Sequence, residues 1–237
     1  MILITRPRKN SLEFQKRLEK LNINSEIQEL SKFKILKSKI TLFNSIILIT
    51  SPRSLEYLVK TKTIESCKKN EFIVIGRKTT QRLKQLGCQK ILISAKDSTD
   101  LINKSKSIID ERSDVRFLCS NVFNKELISS FKKMKCKIKL VRVYETIKVQ
   151  KLKKSVIKNL MNDKFSAIVF FSKFSLMVFL ELCKLEKVPK SCLKRIQYIC
   201  VSQRVGEFAE KRGYNVHYSL NPSEQSILGL IKHLKLR

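Results

Sequence analysis

Residues 43–53, with the sequence FNSIILITSPR, give the clearest indication of the fold. The run from Ser45 to Ile49 is short, apolar and rich in isoleucine, which is typical of a strand that is buried on both faces. Thr50 and Ser51 interrupt the run, and Pro52 suits the first turn of a helix because its missing N–H would have no partner there. The segment therefore predicts a strand that leads directly into a helix.

This strand–helix unit recurs along most of the chain. Helices are predicted over residues 11–21, 52–60, 79–86, 100–109 and 125–133, with Ser11 as the N-cap of the first. Strands are predicted over residues 2–4, 45–49, 72–75, 91–94 and 115–119. Strands separated by helices of this length favour parallel α/β units with helices on both faces.

The sequence also contains an internal repeat. Residues 2–5 resemble 116–119, residues 43–51 resemble 163–172, and residues 72–76 resemble 198–202, in the same order. The repeat predicts two similar domains, each a parallel sheet flanked by helices. Two extended segments, 26–34 and 137–147, follow the first helix of each repeat and would pair as a two-stranded β connection.

Composition limits the chemistry. Lys and Arg number 50 against 20 Asp and Glu, so the formal charge is +30, which fits either an anionic partner or a solvated coat of lysines. The two histidines form no metal-binding pair and the seven cysteines form no C-x-x-C, so we expect no metal and reduced thiols. Apolar runs are shorter than the roughly 20 residues of a membrane span. We expect a cytoplasmic protein that does not enter the membrane.

Polar and cationic residues follow the predicted strands. In parallel sheets, ligands bind beyond the carboxyl ends of the strands, where helix N-termini present free N–H groups. The candidate binding residues at these ends are Thr5, Arg6, Thr50, Ser51, Arg53, Thr79, Asn121, Lys125 and Ser172. Hydroxyls, amides and cations together suit a ligand with many carboxylates, although each Ser or Thr also fits a simple helix cap.

Six motifs in order resemble the uroporphyrinogen-III synthase family. They are ILITRP (2–7), ILITSPR (47–53), VIGRKT (74–79), VYET (143–146), FFS (170–172) and NPS (221–223). The resemblance spans essentially the whole chain. It departs from the family pattern at 201–206, at Lys173 and at Asn124, which weakens the site assignment in the C-terminal half.

The resemblance implies a cofactor-free lyase of haem biosynthesis. Such an enzyme takes hydroxymethylbilane, a linear tetrapyrrole polycarboxylate, removes water, inverts ring D and closes the macrocycle. Tyr144 matches the tyrosine of the family's V-Y-x-T motif, so we expect it to be catalytic by assisting departure of the hydroxyl. Its alternative role is to anchor an extended segment by packing.

The resemblance and the two extended segments also imply the domain limits. Residues 1–30 with 149–237 would form a discontinuous domain, 38–136 a second domain, and 31–37 with 137–148 the linker strands. We expect a monomer with a small-molecule substrate and no nucleic acid, since aromatic residues are not interleaved with the basic ones. The alternative function is a non-catalytic bilobal binding module for a small polyanion.

Overall fold

The computed structural model describes residues 1–37, 40–219 and 221–236. Two of the domain limits expected from the sequence, residues 38 and 237, lie outside this set. The strands of the described part are β1 (Ile2–Ile4), β2 (Ser25–Ile27), β3 (Ser31–Ile35), β4 (Ile46–Ile49), β5 (Glu71–Ile75), β6 (Ile91–Ala95), β7 (Asp114–Cys119), β8 (Lys137–Arg142), β9 (Tyr144–Lys148), β10 (Ala167–Phe170), β11 (Gln197–Cys200) and β12 (Asn215–Tyr218). The helices are α1 (Arg8–Glu19), α2 (Pro52–Lys60), α3 (Ile64–Cys67), α4 (Arg77–Gln85), α5 (Ser98–Ser105), α6 (Lys125–Lys133), α7 (Lys154–Met161), α8 (Lys173–Leu185), α9 (Lys190–Arg195), α10 (Gln203–Glu210) and α11 (Glu224–His233).

The chain divides into two compact units. Unit 1 comprises Met1–Lys32 and Ile147–Arg237, and unit 2 comprises Phe33–Thr146. Each unit holds a five-stranded parallel sheet, and β3 pairs with β9 in a separate two-stranded sheet. That pair is antiparallel, because Leu36 N–H bonds Val143 O at 3.0 Å while Val149 N–H bonds Leu30 O at 3.2 Å. The α/β class expected from the sequence is confirmed.

In unit 1 the strand order is β12-β11-β10-β1-β2, with every neighbouring pair parallel. Strand β1 lies between β10 and β2, so the N-terminal residues complete a sheet built mostly from the C-terminal segment. Its residues Ile2, Leu3 and Ile4 are all fully buried. Helices α1 and α11 pack on one face of the sheet, and α7, α8, α9 and α10 pack on the other.

In unit 2 the strand order is β6-β5-β4-β7-β8, again all parallel. Strand β4, from the segment FNSIILITSPR, is the central strand, which explains why its apolar run is uninterrupted. Helices α2, α3 and α4 cover one face, and α5 and α6 cover the other. The strand pairs aligned by the sequence repeat, β1 with β7, β10 with β4 and β11 with β5, hold equivalent positions in the two orders.

Residues 137–142 differ from the sequence expectation. The sequence predicts them in the linker, but they form β8 and extend the sheet of unit 2, pairing with β7 from Asp114↔Lys137 to Cys119↔Arg142. Alternating polar and apolar residues fit a half-buried edge strand as well as a free linker, so the pattern did not separate the two. The β connection of the described chain is therefore β3 with the shorter β9.

The first helix also begins earlier than predicted. Helix α1 starts at Arg8, with Pro7 in the N-cap position, and Ser11 lies inside it. The buried Ser11 hydroxyl donates to Arg6 O at 2.8 Å, which satisfies it without capping. Among the described residues, no helix has both the length and the apolar character that crossing a membrane would require.

Candidate active site

The carboxyl edge of the unit 2 sheet gathers most of the candidate residues. Strands β5, β4, β7 and β8 are neighbours in the sheet and end side by side, at Ile75, Ile49, Cys119 and Arg142. The residues that follow them include Gly76, Thr50, Ser120 and Val143. This edge carries the N-termini of α2, α4 and α6, whose first N–H groups favour anions.

Ser51 and Arg53 shape the first of these turns. The Ser51 hydroxyl accepts a hydrogen bond from Arg53 N–H at 3.2 Å and caps α2. The Arg53 guanidinium donates to Glu56 at 2.6 Å and lies 4.9 Å from the centroid of the Phe33 ring. Thr50, the residue before the cap, is half-buried. The cation is thus held in place by a carboxylate and an aromatic face.

Glu56 accepts from a second cation as well. Lys60 Nζ lies 2.9 Å from its other carboxylate oxygen. Partial burial disfavours the charged form of Glu56, but the hydrogen bonds from Lys60 and Arg53 outweigh it and lower its pKa. The carboxylate therefore stays ionised at neutral pH and fixes both cations.

Tyr144 lies next to this group. The residue as a whole is 8% exposed, and its ring meets the Phe33 ring edge to face, with centroids 6.1 Å apart and planes at 69°. The ring belongs to the core cluster that contains Leu118 and Val143. Within the described part of the chain, the Tyr144 hydroxyl makes no hydrogen bond. We call the contiguous set Arg53, Phe33 and Tyr144 the aromatic stack.

Thr79 lies in the first turn of α4, where its backbone N–H donates to Gly76 O at 3.0 Å. Gly76 has φ of +100°, a value that favours glycine and lets the chain turn sharply from β5 into the helix. Thr79 is buried, and its neighbour Thr80 bonds Ser94 at 2.8 Å between hydroxyl oxygens. The turn thus brings the Thr79 side chain to the sheet edge.

The Asn121 side chain is bonded within the fold. Its side-chain amide donates to Thr146 O at 3.1 Å and accepts from Thr146 N–H at 2.8 Å. Thr146 also donates to Ser120 at 3.2 Å between hydroxyl oxygens. These bonds tie the loop after β7 to β9, close in sequence to Tyr144. Lys125, at the start of α6, is exposed to solvent.

The unit 1 candidates lie at the carboxyl edge of their own sheet. Thr5 is buried, and its hydroxyl donates to Val169 O at 2.6 Å. Arg6 forms an ion pair with Glu224, at the start of α11, and its guanidinium lies 3.9 Å from the centroid of the Phe171 ring. Only 18% of the Arg6 side chain is exposed. Ser172 caps α8 by accepting from Ser175 N–H at 3.1 Å.

Sequence reasoning did not single out Phe33, Glu56, Phe171 or Glu224. Phe33 lies in a segment expected to pair with the one that contains Tyr144, and that pairing is the signal that could have identified it. The unit 1 edge also carries Ser202, at the N-cap position of α10 in the divergent motif, where it makes no side-chain cap bond.

Comparison with known proteins agrees with the motifs. The family model described as uroporphyrinogen-III synthase HemD matches residues 21–229. The crystal structure of uroporphyrinogen-III synthetase from Helicobacter pylori 26695 aligns over 100% of this chain and 99% of its own, with a TM-score of 0.68 and 15% identity. A mutant uroporphyrinogen III synthase from the extremely thermophilic bacterium Thermus thermophilus aligns over 100% of both chains, with a TM-score of 0.66 and 12% identity. No curated protein sequence matches the chain.

The two solved structures establish the fold alone, because their sequence identity to this chain is low. The family model matches most of the chain and includes every strand of the unit 2 sheet. The chain belongs to the uroporphyrinogen-III synthase family.

Proposed function

We propose that this member of a family of cofactor-independent cyclising lyases converts hydroxymethylbilane to uroporphyrinogen III. The reaction removes one water, forms one carbon–carbon bond that closes the macrocycle, and inverts ring D. No group is transferred to the protein. The chain must hold a flexible tetrapyrrole so that the substituted carbon of ring D attacks before the uninverted isomer I closes spontaneously.

The aromatic stack is the observation that carries this proposal. It places a fixed cation, an aromatic face and a phenol hydroxyl next to one another beside the sheet edge where α/β proteins bind ligands. The cation suits the carboxylates of a pyrrole ring, the aromatic face suits the ring itself, and the phenol hydroxyl suits the departing hydroxyl. The hydroxyl of Tyr144 makes no hydrogen bond with the described residues, which leaves its proton for the substrate.

We assign Tyr144 the role of hydrogen-bond donor to the departing hydroxyl. As the carbon–oxygen bond breaks, negative charge develops on the leaving oxygen and positive charge on the pyrrole, giving an azafulvene cation. A donor at the oxygen stabilises that charge separation more than the ground state, which lowers the barrier. Attack by the substituted carbon of ring D then gives a spiro intermediate. The original bond between that carbon and its bridging methylene breaks, and the methylene bonds instead to the unsubstituted α-carbon of ring D. The proton lost from that carbon balances the departed hydroxide as water.

We assign the carboxylate contacts to cations and helix N-termini. Arg53 and Lys125 provide charge at the unit 2 edge, Thr50 and Ser51 provide hydroxyls at the start of α2, and the first N–H groups of α4 provide neutral donors beside Thr79. At the unit 1 edge, Arg6 and Ser172 provide the corresponding groups. The formal charge of +30 favours association with a substrate of eight carboxylates and makes it sensitive to salt.

Thr5 and Asn121 use their side chains within the fold. Thr5 donates to Val169 O, and both ends of the Asn121 amide bond Thr146. We therefore propose that they act as positioning residues, which hold the loops that carry the binding groups.

We also infer that the protein works as a monomer in the cytoplasm. All seven cysteines are free and buried, which suits a reducing compartment. The large excess of positive charge opposes self-association. Light scattering coupled to size-exclusion chromatography measures the first point directly, and a mass near twice 27.7 kDa would contradict it.

An assay with freshly generated hydroxymethylbilane tests the proposed activity. Products are oxidised and resolved as isomers I and III, and the rate is compared with spontaneous closure. We expect isomer III in excess. Isomer I alone, at the background rate, together with tight substrate binding, would instead favour a non-catalytic module that binds a polyanion.

A further inference from the structure

A pocket in unit 2 lies between α2 and the segment that begins with β3. Its volume is about 580 Å³, within the range typical of small-molecule sites. From the β3 side it is lined by Phe33, Ile35, Leu36 and Lys37, and from the helix side by Arg53, Glu56, Lys60 and Thr61. One wall is therefore mostly apolar and the other mostly charged.

The helical geometry of α2 places the charged side chains of the pocket next to one another. Arg53, Glu56 and Lys60 lie three and four residues apart on one face of α2, so the central carboxylate bonds both cations. With Lys37, the pocket holds three cations and one carboxylate, a net formal charge of +2. The Glu56 carboxylate balances one of the three positive charges, so the remaining two can be balanced by two further anionic groups.

The apolar wall presents an aromatic ring. Phe33 is half-buried, with the Arg53 guanidinium 4.9 Å from its centroid and the Tyr144 ring in edge-to-face contact with it. A planar ring bound in the pocket would therefore contact the same Phe33 side chain that supports the proposed catalytic tyrosine. Stacking on an aromatic side chain tolerates many ring substituents and adds to charge recognition.

We propose that this pocket binds one pyrrole ring bearing an acetate and a propionate, with its two carboxylates at the cations and its ring beside Phe33. The proposal rests on the proposed function, since each ring of the substrate carries that pair of carboxylates. The net charge of the pocket matches the two negative charges of one ring. Arg53 and Phe33 then link this pocket to Tyr144.

Binding of a single ring tests the proposal without turnover. The probe is a synthetic pyrrole with one acetate and one propionate, titrated into the isotope-labelled full chain and followed by backbone amide NMR shifts. Glutarate, which has the two carboxylates but no ring, and the dimethyl ester of the pyrrole, which has the ring but no charge, are titrated in parallel. We expect the pyrrole diacid to bind at least fivefold more tightly than either, with shifts at Phe33, Leu36 and Thr61.

Two variants and a matched control locate the site. Lys60→Gln should weaken pyrrole binding about threefold, in line with an exposed ion pair. Lys104→Gln is the control, because Lys104 pairs with Asp100 at 3.0 Å in the same i,i+4 arrangement outside the pocket. Phe33→Leu should remove the preference for the pyrrole over glutarate while leaving glutarate binding nearly unchanged.

The steady-state kinetics of the Lys60→Gln variant provide a second test of the pocket. Lys60→Gln should raise the KM for hydroxymethylbilane about threefold and leave kcat nearly constant, as expected for a group that binds substrate and transition state alike. Equal pyrrole binding by the Lys60→Gln and Lys104→Gln variants, or shifts confined to other surfaces, would overturn the pocket assignment. Isomer III formation without pocket shifts would overturn the pocket alone, whereas pocket shifts with only isomer I would overturn the proposed activity alone.

Discussion

Tyr144→Phe separates a catalytic from a structural role for this tyrosine. The change removes one hydroxyl and keeps the ring, so the edge-to-face contact with Phe33 at 6.1 Å is retained. Loss of one donor that acts in the transition state costs on the order of 3 kcal/mol, or roughly 100-fold in rate. Since the hydroxyl makes no hydrogen bond with the described residues, the free energy of unfolding should change by less than about 0.5 kcal/mol.

The rate of isomer III formation and the urea unfolding midpoint are measured on the same preparations. Tyr198→Phe is the matched control, because Tyr198 is fully buried in the unit 1 core and its hydroxyl has no partner among the described residues. It should keep full activity, with unchanged or slightly higher stability, because the removed hydroxyl is buried and unpaired. A stable Tyr144→Phe variant with wild-type turnover would refute the donor role and leave Tyr144 as a packing residue.

Three further changes probe the packing around the sites. Asn121→Ala removes both bonds to the Thr146 backbone and should lower the free energy of unfolding by about 1–2 kcal/mol, measured by urea titration; an unchanged midpoint would show that the tether is dispensable. Gly206→Ala should destabilise by about 1–3 kcal/mol in the same measurement, because a Cβ there would lie 2.8 Å from the Tyr218 ring; wild-type stability would mean that α10 shifts freely. Burial raises the pKa of the Cys67 thiol to about 11, above its ordinary value near 9. The contribution of the buried neutral thiol to the free energy of unfolding is therefore complete below pH 9 and is lost as the pH rises through 11. The fall in unfolding free energy over that interval should be shallower in Cys67→Ala, and equal slopes would contradict the assignment.

Much of the sheet architecture could be read from local pattern. The apolar runs at 2–4, 45–49 and 72–75 are strands because they lie in the middle of sheets that are covered on both faces, where alternation with polar residues is absent. The repeat placed equivalent strands in the correct order because each strand–helix unit carries its own turn chemistry. The edge strand β8 cannot be distinguished from a linker by its sequence, because linkers share its half-exposed pattern.

The site could be predicted only in part. Strand-end residues such as Ser51 and Thr79 are found where expected, because a parallel sheet fixes the edge at which every strand ends. The sequence pattern does not predict which long side chain contacts which partner. The pairing of Arg6 with Glu224 joins residues 218 positions apart, and the contact of Phe33 with Tyr144 depends on the register of the antiparallel pair β3 and β9.

The course of the chain through the two units has a consequence for synthesis on the ribosome. Unit 2 is one continuous stretch, Phe33–Thr146, so all of its strands are available once that stretch has left the exit tunnel. Strand β1 emerges first, yet its neighbour β10 begins only at Ala167. Residues Ile2–Ile4 therefore remain without their β10 partner while more than a hundred further residues are added to the chain. We expect ribosome-bound chains in which Thr146 has left the exit tunnel while Ala167 is still inside it to hold a protease-resistant unit 2 and a cleavable segment around β1, with chaperones bound at Ile2–Ile4.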